Sequence, residues 1–231
     1  MRLIAILGGH SSGRIVADTI AALAAAGEPV ELLGYLNDEF APGQAIGDGA
    51  VLGAFEDWRR LPPEVRFVAA FPTPRRARER YARLRSLGIP DERWTTVRDP
   101  AARVSRAARL GAGCYVAPNA VIEHGAELGP HTIVRAGAYV SHDVRIGAFG
   151  FVGSNATLLG RSTLGEGVHV GANAVCREGT ALGDYAFVGI GAVVVRDVAA
   201  DAVVAGNPAR PLPVHATART PLRDAVSEQF R

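Results

Sequence analysis

The sequence contains no lysine, so all 25 of its basic residues are arginine. Without an ε-amine, a lysine Schiff base and a P-loop lysine are both excluded. The arginines stand against 23 acidic residues, and the formal net charge of +2 is too small to recruit nucleic acid or an anionic membrane by its field. Arginine suits bidentate contacts to phosphate groups, so phosphate recognition stays open.

Cysteines and long apolar segments are also scarce. Cys114 and Cys176 are too few for a disulfide framework, and no CxxC spacing indicates zinc or a redox pair. The apolar run 3–7 is too short for a signal peptide, and 186–195 is well short of the roughly 18 residues that a membrane span needs. We therefore expect a soluble protein of a reducing compartment, the cytoplasm.

A six-residue repeat occupies the second half of the chain. Every sixth residue from Leu110 to Val194 is Leu, Ile or Val except Cys176, and the residue four places further on is small or modest in size. We call these the first and fifth places of each hexad. Glycine recurs in the second place, where we expect it to permit tight corners. A period of six fits neither an α-helix nor a coiled coil and is typical of short flat strands joined by turns.

If three hexads form one triangular coil, residues three hexads apart stack and the first places form an internal apolar column. We expect this register to run unbroken from Val104 to Ala199. A β-sandwich with glycine-rich turns is the alternative, but it would show a period of two and variable turn spacing. The repeat therefore predicts a parallel β-helix.

The first 99 residues predict a small parallel sheet with helices. Strands are expected at 3–7, 30–36, 67–71 and 94–97, and helices at 14–26 and 74–87. The turn from Gly8 to Gly13 would present backbone N–H groups to a diphosphate at a helix N-terminus, although any βα unit needs such a turn. Asn37 and Asp38 follow the second strand, where side chains commonly bind a ribose or base; an acidic loop residue can equally be solvated.

The repeat, the front region and the closing segment 203–210, Val-Val-Ala-Gly-Asn-Pro-Ala-Arg, resemble the left-handed β-helix acyltransferases with the hexapeptide motif. Within that class the chain is similar to the sugar O- and N-acetyltransferases of sialic acid, bacillosamine and perosamine pathways. The resemblance covers nearly the whole chain. It implies a Rossmann-like nucleotide-sugar-binding domain (1–99) and a left-handed β-helix acyltransferase domain (100–210), which leaves a tail (211–231). Within the tail, the sequence of 223–230 predicts a short helix. It also implies acetyl-CoA as co-substrate and a homotrimer with active sites between subunits.

Among the six histidines, only His142 is followed by a carboxylate, Asp143. This pair matches the family's catalytic histidine and its acidic neighbour. The resemblance implies that His142, the third residue of its hexad, projects outward as general base, that Asp143 orients its tautomer, and that the N–H of Gly160 contacts the thioester carbonyl. A functionless surface pair is the alternative.

Further site residues follow from the same resemblance. Gly160 comes three hexads after His142, and we expect Ala172 and Ile190 to continue its column along a CoA groove. The candidate phosphate partners, each of which can equally be a solvated side chain, are Arg177, Arg196 and Arg210. The nucleotide-sugar candidates are Gly8, Gly9, His10, Ser12, Asn37, Asp38 and Arg135.

Two positions depart from the family pattern. The family's turn is of the type Gly-Gly-His-Ala-Arg, whereas here His10 comes earlier and Ser12 is nearest the expected histidine. Many relatives that acetylate a 4-amino sugar have asparagine seven residues before the catalytic histidine, where this chain has Arg135. A cation there disfavours an ammonium acceptor and would suit a phosphate or carboxylate.

His124 precedes His142 by three hexads, and stacked histidines raise the question of a metal, as in β-helical carbonic anhydrases. Those proteins use a His-x4-His spacing, and here the residue five after His142 is Gly147. No metal is therefore expected, and His131 and His169 are expected at other corners on the surface. Three functions remain open: N-acetylation of a nucleotide-linked amino sugar in a direct ternary complex, O-acetylation of a sugar hydroxyl, and a non-catalytic nucleotide-sugar-binding or scaffold protein.

Overall fold

The computed structural model describes residues 1–9, 11–70 and 77–212. His10, His215 and the helix predicted at 223–230 lie outside the described residues. Within those ranges no helix is both long enough and apolar enough to cross a membrane.

The front region is a five-stranded sheet with two helices, which confirms the predicted α/β arrangement of strands. The strands are β1 (Arg2–Gly8), β2 (Val30–Leu36), β3 (Ala45–Ile46), β4 (Gly49–Gly53) and β5 (Arg66–Ala70), and the helices are α1 (Ser11–Ala25) and α2 (Ala77–Ser86). Among the described residues of this region there are also two short 3-10 helices, η1 (Phe55–Arg60) and η2 (Asp91–Arg93). The sheet order is β3-β4-β2-β1-β5, and all pairs are parallel except β3 with β4.

Two of the predicted elements in this region differ from the structure by more than one residue. Helix α1 begins at Ser11 and not at residue 14, because Gly13 lets the helix approach β2: a Cβ there would lie only 3.3 Å from the Tyr35 ring. The predicted strand 94–97 is not one element. Trp94 forms a single bridge with Phe67 of β5, whereas Val97 already pairs with the β-helix.

The rest of the described chain is a parallel β-helix of short strands, except that the final strand pairs antiparallel with the one before it. They are β6 (Val97–Arg98), β7 (Arg103–Val104), β8 (Arg109–Leu110), β9 (Tyr115–Val116), β10 (Val121–Ile122), β11 (Glu127–Leu128), β12 (Ile133–Val134), β13 (Tyr139–Val140), β14 (Arg145–Ile146), β15 (Phe151–Val152), β16 (Thr157–Leu158), β17 (Thr163–Leu164), β18 (His169–Val170), β19 (Val175–Cys176), β20 (Ala181–Leu182), β21 (Phe187–Val188), β22 (Val193–Val194), β23 (Val203–Ala205) and β24 (Arg210–Pro211).

These strands form the three faces of a prism. The docked face is the sheet from β6 to β24 that the front region covers in part, the open face is the sheet from β7 to β22, and the polar face is the sheet from β8 to β20. Residues three hexads apart pair in parallel, as in Val121 with Tyr139 and Glu127 with Arg145. The predicted triangular coil is confirmed, and the arrangement fits a left-handed β-helix.

The interior of the prism consists of the first and fifth places of the hexads, as predicted. First-place Val140 and Leu158 and fifth-place Ala138 and Ala156 are all fully buried. The register is wrong only in the last coil. Leu182 bridges to Val198 and not to the residue three full hexads further on, so the corner after β22 is two residues shorter and Val198 takes an interior position.

The corners correct a second expectation. Left-handed φ values occur at the fourth place of each hexad from Gly113 to Gly191, including φ 58° at Asp143 and 56° at Asn155. The second-place glycines serve another purpose. A Cβ on Gly147 would lie 2.7 Å from the carbonyl carbon of Gly165 in the next coil. These glycines therefore allow successive coils to approach closely.

The front region packs against the docked face through both helices. From α1, the Thr19 hydroxyl lies 3.0 Å from the Tyr115 hydroxyl and 3.3 Å from a carboxylate oxygen of Asp99, and all three residues are buried. From α2, the Tyr81 ring stacks on Phe149 with ring centroids 4.4 Å apart. Buried polar and aromatic contacts of this kind fix the front region relative to the β-helix.

Candidate active site

His142 lies at the corner that joins the open face to the polar face, two residues after β13. The backbone there forms a column: the N–H of Asp143 donates to His124 O and the N–H of Arg161 donates to His142 O, both at 3.0 Å. The N–H of Gly179 donates to Gly160 O, also at 3.0 Å. The step of three hexads therefore places His124 below and Gly160 above His142, as predicted.

The imidazole of His142 is held between a carboxylate and a glycine. Its Nδ1 lies 3.1 Å from Oδ2 of Asp143, and 43% of its side chain is exposed. A Cβ on Gly160 would lie 2.5 Å from Nε2, so the ring rests against the Gly160 α-carbon. The Asp143 carboxylate likewise lies against a glycine, because a Cβ on Gly125 would be 2.3 Å from its Oδ1. Glycine at both neighbouring positions leaves room for the pair.

The backbone N–H of Gly160 donates to no other group within residues 1–9, 11–70 and 77–212. Its carbonyl, in contrast, accepts the N–H of Gly179. A donor without a partner beside an exposed imidazole nitrogen can bind a developing negative charge on a ligand oxygen.

A groove of about 520 Å³ runs over the open face beneath the His142 corner. Its lining includes Arg103, Glu123, His124 and Tyr139. The Ser141 hydroxyl donates to Oε2 of Glu123 at 3.2 Å. The pKa of Glu123 is lowered, most of all by the Tyr139 hydroxyl and then by Ser141 and the backbone of His142. The sequence analysis missed Glu123; the available signal was that it comes three hexads before Ser141.

The expectation for Ala172 and Ile190 was wrong in one respect: they do not continue the Gly160 column. The N–H of Asn173 donates to Ser154 O at 2.9 Å and that of Gly191 to Ala172 O at 2.8 Å. Ala172 and Ile190 therefore stack above Ser154 at the corner between the docked and open faces. The reason is that the step from Gly160 to Ala172 is two hexads, which cover only two thirds of a coil. Ile190 is 79% exposed.

The three candidate arginines are exposed. Arg177 follows β19 and Arg196 follows β22, on the side of the open face where His142 lies. Arg210 belongs to β24, and the N–H of its neighbour Ala209 donates to Val193 O at 2.8 Å. The open face is thus flanked by arginines on one side, by Ala172 and Ile190 on the other, and by Arg210 at its end.

In the front region, Gly8 and Gly9 end β1 and Asn37 follows β2, at the same edge of the sheet because the two strands are parallel. A Cβ on Gly9 would lie 3.6 Å from Nδ2 of Asn37. Asn37 is only 6% exposed, and its Oδ1 accepts the N–H of Glu39 at 2.7 Å. Ser12 is half-buried in the first turn of α1.

Two other nucleotide-sugar candidates have different surroundings. Asp38 is engaged within the protein: Oδ1 accepts the N–H of Phe55 at 2.8 Å and Oδ2 pairs with Arg83 at 3.3 Å. Arg135 is half-buried beside Tyr115, whose pKa is raised by burial and lowered in part by this cation. Within the described ranges Arg135 makes no hydrogen bond or ion pair through its side chain.

His131 lies at a corner, as expected, but neither it nor His169 is a solvated side chain, which corrects the expectation. His169 lies in β18 and stacks between Phe151 and Phe187, at centroid distances of 4.4 and 4.8 Å. His131 stacks on Phe149 at 4.9 Å. Burial lowers the pKa of each histidine to about 4. Across the described part of the chain, no three His, Cys, Asp or Glu side chains form a group that would hold a metal ion.

Comparison with known proteins agrees with this geometry. The family model described as bacterial transferase hexapeptide (six repeats) matches residues 107–142. No curated protein matches the chain. Among solved structures, the chain is 31% identical to the acetyltransferase domain of PglB from Neisseria gonorrhoeae FA1090 in complex with acetyl coenzyme A, with 91% of this chain and 99% of that chain covered and a TM-score of 0.80.

A second similar structure is a mutant of perosamine N-acetyltransferase from Caulobacter crescentus in complex with CoA and GDP-perosamine, at 28% identity, 91% and 97% coverage and a TM-score of 0.78. WeeI from Acinetobacter baumannii AYE, at 20% identity and a TM-score of 0.64 over 91% of this chain and 99% of that chain, shares the fold. With 31% identity over nearly all of the gonococcal domain and the hexapeptide repeat in its sequence, the chain belongs to the hexapeptide-repeat sugar acetyltransferases of the sialic acid, bacillosamine and perosamine family.

Proposed function

We propose that this protein transfers an acetyl group from acetyl-CoA to the amine of a nucleotide-linked amino sugar. Two similar proteins support the two substrates: one was solved with acetyl coenzyme A and the other with CoA and GDP-perosamine. The observation that carries the chemistry is the position of the His142 ring, with Nδ1 at 3.1 Å from Asp143 and Nε2 against Gly160.

His142 acts as the general base in a direct transfer. Asp143 accepts the Nδ1–H, which leaves the Nε2 lone pair free for the proton of the attacking amine. The amine nitrogen forms a bond to the thioester carbonyl carbon as its proton passes to Nε2. The tetrahedral intermediate then collapses, the C–S bond breaks, and the proton on Nε2 neutralises the CoA thiolate. The products are the N-acetyl sugar and CoA.

Gly160 stabilises the negative charge that develops on the thioester oxygen. Its N–H has no partner within the described ranges and lies in the residue against which the imidazole rests. One such donor typically contributes about 3 kcal/mol to transition-state stabilisation.

CoA binds along the open face in this proposal. Ala172 and the exposed Ile190 offer apolar surface on one side, and Arg177, Arg196 and Arg210 are the cations for its phosphates. The outward side chains of this face are largely apolar and half-buried, namely Val121, Tyr139, Thr157, Val175 and Val193. An apolar face of this kind suits a second copy of the chain, so we propose a homotrimer in which neighbouring subunits complete each groove.

The front region, as a Rossmann-like domain, binds the nucleotide of the acceptor. Gly8, Gly9, Ser12 and Asn37 lie at the carboxyl edge of the parallel sheet, where nucleotides bind in such folds. His10 remains a candidate outside the described residues. Asp38 is tied to Phe55 and Arg83, so its role is to hold the loop and not to contact the ligand.

Replacement of His142 by alanine tests the proposal. The side chain is 43% exposed, so the variant should fold, while turnover should fall by about 10² to 10⁴. Unchanged turnover would eliminate His142 as the base.

A second candidate, O-acetylation of a sugar hydroxyl, is favoured by Arg135. This half-buried cation has no partner in the described ranges and would repel an ammonium while attracting a carboxylate or phosphate on the acceptor. A hydroxyl needs a base more than a neutral amine does. An N-acetyltransferase without His142 should therefore recover activity at high pH, whereas an O-acetyltransferase should not.

A further inference from the structure

The groove beneath His142 contains a carboxylate that the proposed chemistry does not use. Glu123 directly follows β10, and its N–H donates to Val140 O at 2.9 Å, so it lies one coil below Ser141. The Ser141 hydroxyl donates to Oε2 of Glu123 at 3.2 Å. The pKa of Glu123 is lowered most by the Tyr139 hydroxyl, and the Ser141 hydroxyl and the backbone of His142 lower it further.

All three groups belong to one short segment, residues 139–142, which carries the imidazole. Ser141 is only 6% exposed, so its buried hydroxyl would lose its acceptor if Glu123 were removed. These groups, the Tyr139 hydroxyl first, lower the pKa of Glu123, which keeps the side chain ionised at neutral pH. Hydrogen bonds to an ionised acceptor are roughly twice as strong as neutral ones.

We propose that Glu123 is a positioning residue for His142: its carboxylate holds the 139–142 segment from below and thereby keeps the imidazole against Gly160. The inference rests on the proposed function, because position matters for turnover only if His142 is the base. Glu123 acts through Ser141, which directly precedes His142, and does not contact the acceptor amine.

The test compares three variants. Glu123→Ala removes the hydrogen-bond acceptor. Glu123→Gln keeps the side-chain length and one carbonyl oxygen that can accept. Glu127→Gln is the matched control. Glu127 is also half-buried and also has a lowered pKa, but its partner is Arg109 and it lies on the polar face. All three should fold, which circular dichroism and thermal unfolding check.

We expect Glu123→Ala to lower kcat by about 30- to 100-fold, since a displacement near 1 Å costs on this order. Glu123→Gln should retain an intermediate kcat, and Glu127→Gln should stay within about twofold of the unmodified protein. The KM values for both substrates should change less than about threefold. A large rise in the KM for the acceptor with kcat preserved would instead show that Glu123 binds substrate, and would overturn the inference.

A readout without turnover separates this inference from the proposed function. With ¹³C-labelled histidine, the full-length protein should show a nuclear Overhauser contact between the His142 ring and the Gly160 α-protons. We expect that contact to weaken in Glu123→Ala and to persist in Glu127→Gln. Absence of transferase activity in the unmodified protein would refute the proposed function alone. A contact of full intensity in Glu123→Ala would refute the positioning role whatever the activity.

Discussion

One methyl group added at Gly160 should displace the catalytic imidazole. The φ of Gly160 is not in the left-handed region, so alanine fits the backbone there. Its Cβ would lie 2.5 Å from Nε2 and 2.6 Å from Cε1 of His142. Two non-bonded heavy atoms of this size are stable at a separation of about 3.5 Å, so the ring must move by about 1 Å. It is 43% exposed and can swing toward solvent.

The size of the effect follows from that displacement. Misplacing a reacting group by about 1 Å costs on the order of 10²-fold in rate, or about 2.7 kcal/mol of activation free energy. Stability should change by less than about 1 kcal/mol, because alanine at a compatible φ also restricts the unfolded chain. The N–H of residue 160 remains in the variant, so oxyanion binding is not the cause of the loss.

A double-mutant cycle is the assay. We would measure kcat with acetyl-CoA for Gly160→Ala, His142→Ala and the double variant. If the methyl group acts by displacing the His142 ring, Gly160→Ala should lower kcat about 10²-fold in the unmodified protein. In the His142→Ala background it should lower kcat by less than about twofold. Glu178→Ala, an exposed change one coil above Gly160, should keep nearly full activity. Equal losses from Gly160→Ala in both backgrounds would refute the reasoning, as would full activity of the single variant.

Two further predictions concern acid stability and CoA. The pKa of His169 is about 4 in the folded protein and about 6.5 in the unfolded chain. Between these pH values the unfolded chain binds a proton that the folded chain does not. The free energy of unfolding therefore falls as the pH falls from about 6.5 to about 4. In His169→Phe, whose ring extends the Phe151 and Phe187 stack, the free energy of unfolding should fall over that pH range by up to about 3 kcal/mol less than in the unmodified protein. Urea unfolding at several pH values measures this, and an unchanged pH dependence would contradict it. Ile190→Asp should leave the thermal midpoint unchanged, because the side chain is 79% exposed, but should weaken acetyl-CoA binding about tenfold or more in calorimetry; unaltered affinity would remove Ile190 from the CoA groove.

The period of six was sufficient to predict the interior of the β-helix and the His142 column. Both depend only on which residues stack, and a step of three hexads fixes that as far as Val194. Ala172 was misplaced by counting two hexads as one coil. The shortened last corner could not be predicted from the sequence. Val198 takes an interior place both in the regular hexad spacing and in the corner that is two residues shorter.

Other features depend on contacts that no local pattern contains. Strand β3 is only two residues long and β4 begins and ends with glycine, so both lack the apolar alternation that indicates a strand. Glu123 became recognisable only once Tyr139, Ser141 and the His142 backbone were seen around its carboxylate. The stacking that buries His169 between two phenylalanines likewise needed the coils in place.

The central claim is acetyl transfer to a nucleotide-linked amino sugar with His142 as base. Mass spectrometry of products, after incubation with acetyl-CoA and a panel of UDP-, GDP- and dTDP-amino sugars, tests it most directly. We expect one sugar nucleotide to gain a single acetyl group with the unmodified protein and to gain it far more slowly with His142→Ala. Acetylation of none of the amino sugars, or equal rates for the two proteins, would contradict the account.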